Sequence, residues 1–93
     1  MHHLYILHSK SSKKYYIGES HNTEERIIKH NQHTYSGSFT KIASDWEFAL
    51  VFDCAYKEDA VFLEKFIKRM KSKVFIEKII KDPSILEDIL SKK

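Results

Sequence analysis

Arginine, histidine, glutamate and tyrosine side chains in this sequence have types and spacings that could support chemistry on a phosphate. Arg26 and His30 lie four residues apart, so they share one face of a predicted helix. A guanidinium stays charged at any relevant pH and can donate two parallel hydrogen bonds to phosphate oxygens. The alternative for such a pair on a short helix is that both side chains are simply solvated.

Glu64 is the second candidate, because it lies at the edge of an apolar helical stripe. At 100° per residue it is about 40° from Ala60 and about 60° from Ile67, with Lys68 and Lys71 on the same side. A carboxylate at the rim of a core can hold a divalent cation that also contacts a phosphate. The structural alternative is an ion pair between Glu64 and Lys68, worth roughly 0.2–0.5 kcal/mol.

Tyrosines in two predicted strands are the third candidates. Alternation along a strand places Tyr5 on one face with Leu7, and Tyr16 on one face with Gly18. Strand propensity and cross-strand packing would explain these tyrosines without any chemistry. The combination of the three groups, in this order, favours the chemical interpretation.

The elements that must position these side chains begin with a β-hairpin and a helix. Leu4–His8 and Tyr15–Gly18 are predicted strands, joined by a polar turn. Asn22 and Glu25 have the spacing of a capping box, which predicts a helix over Thr23–Asn31. We expect Ile27 and Ile28 to form its packed flank. A loop follows, containing Gly37.

The remaining elements are one strand and three helices. The alternation in "WEFALVF" predicts a strand over 46–52 with a single bulky core face, made by Trp46, Phe48, Leu50 and Phe52. From Glu58 the period becomes helical, and its apolar stripe is Ala60, Leu63, Ile67 and Met70, widened by Phe66. Helices over Lys73–Lys81 and after Pro83 follow, with Pro83 expected at the first helical position. The predicted fold is α+β: a small three-stranded antiparallel sheet flanked by helices, in the order β-β-α-β-α-α-α.

Composition limits the possible functions. Ninety-three residues predict a single domain over 1–93, and 42% hydrophobic residues argue against disorder. A net charge of +3 permits a nucleic-acid partner without requiring one. The one cysteine, Cys54, excludes an intrachain disulfide and is expected to be a buried hydrophobe, which fits a reducing, cytoplasmic location. No apolar run is long enough for a membrane span.

A family resemblance rests on these motifs taken together. "LYIL", then "YYIG", then Arg26 with "HN" at 30–31, and a glutamate in a later amphipathic helix closely resemble the GIY-YIG endonuclease family. The resemblance extends from about Tyr5 to Lys71. It implies the activity of a metal-dependent endonuclease that hydrolyses DNA phosphodiester bonds.

Position by position, the resemblance implies a role for each candidate. Tyr5 matches the tyrosine that ends the first motif, and Tyr16 the one that begins the second. Arg26 matches the catalytic arginine and Glu64 the metal-binding glutamate. His30 matches a histidine that contributes in some members.

The resemblance also assigns Gly18 and exposes two departures from the family pattern. Gly18 matches the glycine of the second motif, where the missing Cβ is expected to let the chain turn close to the site. The first motif reads "HLY" at 3–5, although its tyrosine is kept. Glu19 follows Gly18, and an additional carboxylate there would repel a phosphate unless it faces away or helps to bind metal.

The implied cofactor is one divalent cation, Mg²⁺ or Mn²⁺, bound at Glu64, with no small-molecule cofactor. Tyr5 or Tyr16 would orient and deprotonate the attacking water, and the resemblance favours Tyr5. A phenol with a pKa near 10 needs nearby positive charge to act at neutral pH. The metal, Arg26 and a protonated His30 are the expected sources of that charge.

DNA is the implied partner, and no membrane is expected to be one. Contacts to the phosphate backbone would make affinity depend strongly on salt and little on sequence. The candidates for these contacts are Lys10, Lys13, Lys14, Lys41, Lys68, Arg69 and Lys71.

Three alternatives remain open. A module of the same fold could bind nucleic acid but cleave it poorly or not at all, with Glu19 as the cause. A zinc site could use His30, His33 and Cys54, although this spacing lacks a second cysteine. A small interaction domain would show neither salt-dependent DNA binding nor metal-dependent cleavage.

Overall fold

A three-stranded antiparallel sheet with helices on both faces is the architecture of the computed structural model, which describes residues 1–32 and 42–93. This confirms the predicted α+β class and element order. The elements are β1 (His2–Ser9), β2 (Lys14–Ser20), α1 (Thr23–Asn31), β3 (Trp46–Cys54), α2 (Lys57–Met70), α3 (Lys73–Lys81) and α4 (Ser84–Ser91). The predictions made for His33, Gly37 and Lys41 lie outside the described residues. Within the described part of the chain, no helix has the length and hydrophobicity of a membrane-spanning segment.

The sheet has the order β2-β1-β3, so β1 is central and β2 lies at an edge. Leu4 and Ile6 of β1 point to one face, where they pack with residues of α2, α3 and α4 in the larger hydrophobic core. Tyr5 and Leu7 point to the opposite face, where they form a smaller core with residues that include Ile27 of α1. The predicted shared face of Tyr5 and Leu7 is therefore confirmed.

The prediction of one bulky core face on β3 is wrong, because the β1–β3 pairing shifts register between Ile6 and Leu7. Leu50 pairs with Ile6, while Phe48 pairs with Leu7, so Ala49 is the additional residue on β3. Such a bulge changes which face the following side chains occupy. Leu50 therefore packs in the larger core, whereas Phe48 lies edge-on to Tyr5, with 6.4 Å between ring centroids.

Helix α1 begins where its capping residue predicts. The side chain of Asn22 accepts a hydrogen bond from the Glu25 amide at 3.1 Å, which satisfies one free donor of the first turn. Glu25 does not complete the predicted capping box, because its carboxylate pairs with Lys29 at 2.8 Å. The Asn22 amide instead donates to Ser20 Oγ at 3.0 Å.

Helices α2 to α4 cover the face of the sheet opposite α1. Leu63 and Ile67 of α2 are buried as predicted, but Met70 at its end is 48% exposed. Helix α3 spans the predicted residues, with Ser72 accepting a hydrogen bond from the Phe75 amide at its start. Pro83 precedes the first residue of α4 instead of being that residue, since α4 begins at Ser84.

The turn between β1 and β2 is fixed by a carboxylate from a distant part of the chain. Asp45 accepts hydrogen bonds from the Ser9 hydroxyl at 2.6 Å and from the Ser11 amide at 2.9 Å. These hydrogen bonds lower the pKa of Asp45 to about 2. The Lys13 amide donates to the Ser9 carbonyl at 2.8 Å and closes the turn. This turn thus has a defined shape, which determines where its lysines project.

Candidate active site

The smaller core contains a buried pair of polar side chains. The Tyr5 hydroxyl and His30 Nε2 are 3.1 Å apart and hydrogen bonded. Tyr5 is 1% exposed and His30 is 2% exposed. The solvated alternative for His30 is therefore wrong, because α1 turns this residue toward the sheet together with Ile27. A hydrogen bond between two enclosed groups fixes the position of the phenol.

Gly18 makes room for that phenol. The register pairs Gly18 with Tyr5 across β1 and β2, so both residues belong to the same face of the sheet. A Cβ built on Gly18 would lie 2.5 Å from both Cζ and Oη of Tyr5. The expectation that Gly18 allows a turn is wrong, since the residue lies inside β2. Its missing side chain is what lets the Tyr5 ring lie over β2.

Tyr16 joins the pair from β2, as its predicted shared face with Gly18 requires. Its ring centroid is 6.3 Å from that of Tyr5 and 4.5 Å from that of His30. Unlike Tyr5, it is only half-buried. The two phenols and the imidazole therefore form one aromatic cluster, with Tyr16 on its open side.

Arg26 acts electrostatically on this cluster. Burial is the main reason that the pKa of His30 falls to about 4, and the nearby Arg26 guanidinium lowers it further. His30 is therefore neutral at neutral pH. The expectation that a protonated His30 supplies positive charge to a tyrosine is wrong. Arg26 is a cation close enough to act on the cluster through His30.

The low pKa of His30 predicts a pH-dependent stability. An unfolded histidine titrates near 6.5. Between pH 6.5 and pH 4 the unfolded chain binds a proton that the folded chain does not, so stability falls as the pH falls through this window. The loss reaches about 3 kcal/mol at most, since each pH unit between the two values is worth about 1.4 kcal/mol. Urea denaturation at several pH values would measure it.

The comparison variant for this measurement is His30→Gln, which removes the titrating ring. Its stability should depend less on pH between 4 and 6.5 than that of the wild type, while the other histidines contribute equally to both proteins. Parallel stability curves for the two proteins would contradict the assignment of a neutral, buried His30.

Glu64 comes to the edge of the sheet formed by β2. Lys68, one turn further along α2, connects it to the aromatic cluster: its Nζ lies 3.9 Å from Glu64 Oε2 and 5.6 Å from the centroid of the Tyr16 ring. Burial is the main reason that the pKa of Glu64 is raised, and Glu19 raises it further. Lys68 and Arg26 are close enough to oppose this. Glu64 is thus on the same edge of the molecule as the cluster.

Glu19, the departure from the family pattern, is paired with a histidine. Its carboxylate is hydrogen bonded to His2 Nε2. The His2 ring in turn lies near the His21 ring, with 6.4 Å between centroids. Glu19 pairs with Leu4 in the sheet, so its side chain emerges on the face covered by α2 and not on the face of Tyr16. The Glu19 carboxylate is therefore already paired with His2, although its negative charge still raises the pKa of Glu64.

Metal-ligating side chains are sparse. Within residues 1–32 and 42–93, no group of three or more histidine, cysteine, aspartate or glutamate side chains could hold a metal ion. A single carboxylate such as Glu64 suits Mg²⁺, which keeps several waters and often takes its other ligands from a phosphate. The proposed zinc ligand Cys54 is buried in the larger core, on the opposite face from His30, and burial raises the pKa of its thiol. This confirms Cys54 as a buried hydrophobe.

The predicted phosphate-contacting lysines divide into two groups. Those that line a groove along the outer edge of β2 are Lys13, Lys14, Lys68 and Lys71. Lys10 and Arg69 are exposed but are not part of the described lining of this groove. Lys73 also lines the groove but is not among the phosphate-contacting residues predicted from the sequence. Its position directly after the lysine-rich stretch "KFIKRMKS" is a signal that could have identified it.

Asn31 was named from the sequence only as part of the "HN" motif, and neither its contact with β3 nor the pairing of His3 was predicted. Asn31 holds the end of α1 against β3, donating to the Trp46 carbonyl at 3.1 Å and accepting from its amide at 2.8 Å. His3 pairs with Asp53 at 2.6 Å, across β1 and β3. Neither interaction has a local sequence signal, since both join residues that are distant along the chain.

Comparisons with known proteins agree with the motifs. A family model described as the GIY-YIG catalytic domain matches residues 1–79 of the 93-residue chain. Searches of curated proteins and of solved structures gave no significant match. Domains of the matched family are generally nucleases. The family match covers most of the chain and includes both tyrosine motifs, Arg26, His30 and Glu64, so this protein belongs to the GIY-YIG family.

Proposed function

We propose that this chain is a metal-dependent endonuclease that hydrolyses phosphodiester bonds in DNA. The observation that carries the proposal is the approach of Tyr5, Tyr16, Arg26 and Glu64 to one edge of the sheet. These side chains come from β1, β2, α1 and α2. Membership of a nuclease family supports the same conclusion.

Arg26 binds the phosphate in this proposal. Its position one turn before His30 places it beside the aromatic cluster, and its charge is felt at both His30 and Glu64. A guanidinium can donate to two phosphate oxygens at once, which orients the phosphorus atom for attack. It also stabilises the negative charge that develops in the transition state.

Glu64 is the residue that would hold a divalent cation. Burial and the charge of Glu19 both disfavour its ionised form, so a bound cation would relieve an unfavourable carboxylate. Mg²⁺ or Mn²⁺ at this position would stabilise charge on the phosphate and on the leaving oxygen. Lys68, 3.9 Å from the carboxylate, holds Glu64 toward Tyr16.

Tyr5 is the proposed base, and His30 positions it. The hydrogen bond to neutral His30 fixes the hydroxyl of Tyr5, while Gly18 leaves the space that this hydroxyl occupies. Because His30 is neutral, the positive charge that a phenol needs to act as a base would come from Arg26 and from a bound cation. Tyr16, on the open side of the cluster, contacts the substrate.

The alternative is a module of the same fold that binds nucleic acid without cleaving it efficiently. Glu19 was its main support, but the pairing of Glu19 with His2 and its emergence on the α2 face weaken that argument. The single, buried Cys54 fits a reducing compartment, and we place the activity in the cytoplasm.

Nicking of supercoiled plasmid DNA tests the proposal directly. The protein should convert supercoiled to open-circular DNA in Mg²⁺ or Mn²⁺, and addition of EDTA should stop the reaction. Binding that persists in both conditions without nicking would support the inactive module instead.

A further inference from the structure

A groove of about 520 Å³ lies between the outer edge of β2 and the junction of α2 with α3. Apolar and aromatic side chains form its floor, among them Tyr15, Ile67 and Ile76. Its charged lining, within the part of the chain that the structure describes, contains no acidic residue and consists of Lys13, Lys14, Lys68, Lys71 and Lys73. This combination of an apolar floor and a cationic rim is complementary to a polyanion with hydrophobic faces.

Two of these lysines occupy backbone conformations that favour glycine. Lys13 has a φ of 57° and Lys71 a φ of 49°, and they are the two non-glycine residues with positive φ in the described ranges. A side chain in this region is unfavourable relative to glycine, particularly just after a helix such as α2. Local backbone stability therefore does not explain a lysine at either position, and both side chains reach the same groove.

A third lysine is also unfavourably placed. Lys73 is the first residue of α3, and the first turn of that helix has no acidic side chain. The N-terminus of a helix carries partial positive charge, so a cation is disfavoured there and an anion is favoured. An anion in the groove would offset the unfavourable positions of Lys13, Lys71 and Lys73 together.

The groove is continuous with the candidate active site, because Tyr16 and Lys68 belong to both. Tyr15 provides an aromatic surface on the groove side of β2. Its ring packs against His8, with 4.7 Å between centroids, and its hydroxyl donates to Glu77 at 3.2 Å, so the ring is held in place. Bases of single strands stack on such rings while lysines contact their phosphates.

We propose that this groove binds an unpaired strand of DNA that extends from the phosphate to be cleaved. A groove of about 520 Å³ has the size of a small-ligand site, so an unpaired nucleotide can place its base against the apolar floor, whereas a duplex would contact the groove through its backbone. Binding of duplex phosphates alone would also leave the apolar floor unused. The inference rests on the proposed nuclease function, since it names the form of DNA that reaches that site: a duplex with a single-stranded extension.

The double variant Lys13→Gly/Lys71→Gly tests the inference, because it removes two cations while placing glycine where the backbone favours it. Binding is measured by fluorescence anisotropy in EDTA, with a labelled duplex carrying a single-stranded extension and with the same duplex made blunt. We expect at least about a tenfold loss of affinity for the extended probe and little change for the blunt one. The slope of log affinity against log salt should become shallower by about 1.4 for the extended probe, or about 0.7 for each lysine that no longer neutralises a phosphate.

Thermal stability distinguishes weakened phosphate binding from a damaged fold. The melting temperature of the double variant should be unchanged or higher, since glycine relieves both positive-φ positions. Lys73→Gln provides a second test without any change of backbone preference, and it should also weaken binding of the extended probe selectively. The matched control is Lys78→Gln/Lys81→Gln, which removes two exposed cations of α3 outside the groove and should bind both probes almost as well as the wild type.

Equal weakening of both probes, or no weakening in either groove variant, would overturn the inference. Its failure can be told apart from failure of the proposed function, because binding is measured without metal. Absence of plasmid nicking together with an intact preference for the extended probe would refute the nuclease proposal alone. Intact nicking without that preference would refute only the assignment of the groove.

Discussion

Glu64→Gln should abolish metal-dependent nicking, with a loss of roughly a hundredfold to a thousandfold or more. Glutamine keeps the shape of the side chain but removes the charge that would hold a divalent cation. A metal at a reacting phosphate is worth several kcal/mol of transition-state stabilisation, and each 1.4 kcal/mol corresponds to about a tenfold change in rate. Nicking rates across a titration of Mg²⁺ and of Mn²⁺ would measure the loss.

The same substitution should not destabilise the fold. Because the pKa of Glu64 is raised, mainly by burial, the ionised carboxylate is unfavourable in the folded protein at neutral pH. Glutamine removes this penalty and gives up only the ion pair with Lys68 at 3.9 Å, which is worth a few tenths of a kcal/mol. We therefore expect an unchanged or raised melting temperature alongside the loss of activity.

Glu58→Gln is the matched control, since Glu58 is exposed and lies on the same helix. It should retain wild-type nicking at every metal concentration. If Glu64→Gln is folded and nicks DNA at the wild-type rate, then Glu64 does not bind the metal. The proposed mechanism would then be refuted.

Tyr5→Phe should reduce nicking by roughly 10²–10⁴-fold, the usual contribution of a general base. The ring is retained, so its packing against Tyr16 and Phe48 remains, and affinity for DNA in EDTA should stay close to that of the wild type. The substitution removes a hydrogen bond to buried His30 and should lower stability by about 1–3 kcal/mol. Single-turnover nicking below the melting temperature separates the two effects.

Tyr16→Phe must be measured in parallel, because Tyr16 is the half-buried phenol that also lines the groove. We expect a smaller loss of activity from it than from Tyr5→Phe. The reverse order would transfer the role of base to Tyr16. Tyr56→Phe is the control, since Tyr56 is 65% exposed at the start of α2 and should be fully active.

Gly18→Ala offers an independent way to disturb the same hydroxyl. The added Cβ would lie 2.5 Å from Oη of Tyr5, so the phenol must move or β2 must shift. Activity should fall as it does in Tyr5→Phe, even though every proposed catalytic group is still present. Full activity in a folded Gly18→Ala protein would show that the position of the Tyr5 hydroxyl does not matter.

Elements with local signals could be predicted from the sequence. Helix α1 begins after Asn22 because a side chain three residues before Glu25 can satisfy its amide, and that interaction needs no distant partner. The change from strand to helical periodicity before α2 is likewise a local signal. Helix α3 was predicted over its observed residues, and its capping residue, Ser72, is a local signal that was not used for that prediction. The order of elements, and the face shared by Tyr5 and Leu7, follow from these signals.

Candidate site residues could be named from the sequence, but their environments could not. The sequence predicts that Arg26 and His30 share one face of a helix, but it gives no sign that His30 is buried and neutral, and a protonated His30 was expected. Only the packing of α1 against the sheet encloses His30 and lowers its pKa to about 4. A burial of this kind depends on β1 and β2, which precede the helix, and on β3, which follows it.

What the sequence by itself determined was the chemistry available: two phenols, a guanidinium, one carboxylate at a helix edge and a set of lysines. What only the tertiary structure decided was which groups meet. The bulge at Ala49 places the bulky side chains of β3 on two different faces of the sheet. The Tyr5 ring occupies the space that a Cβ of Gly18 would fill. Lys13 and Lys73, which are distant along the chain, line the same groove. The physical reason is range: caps and periodicity act within one or two turns, whereas packing, burial and charge act between residues that only the completed fold brings together.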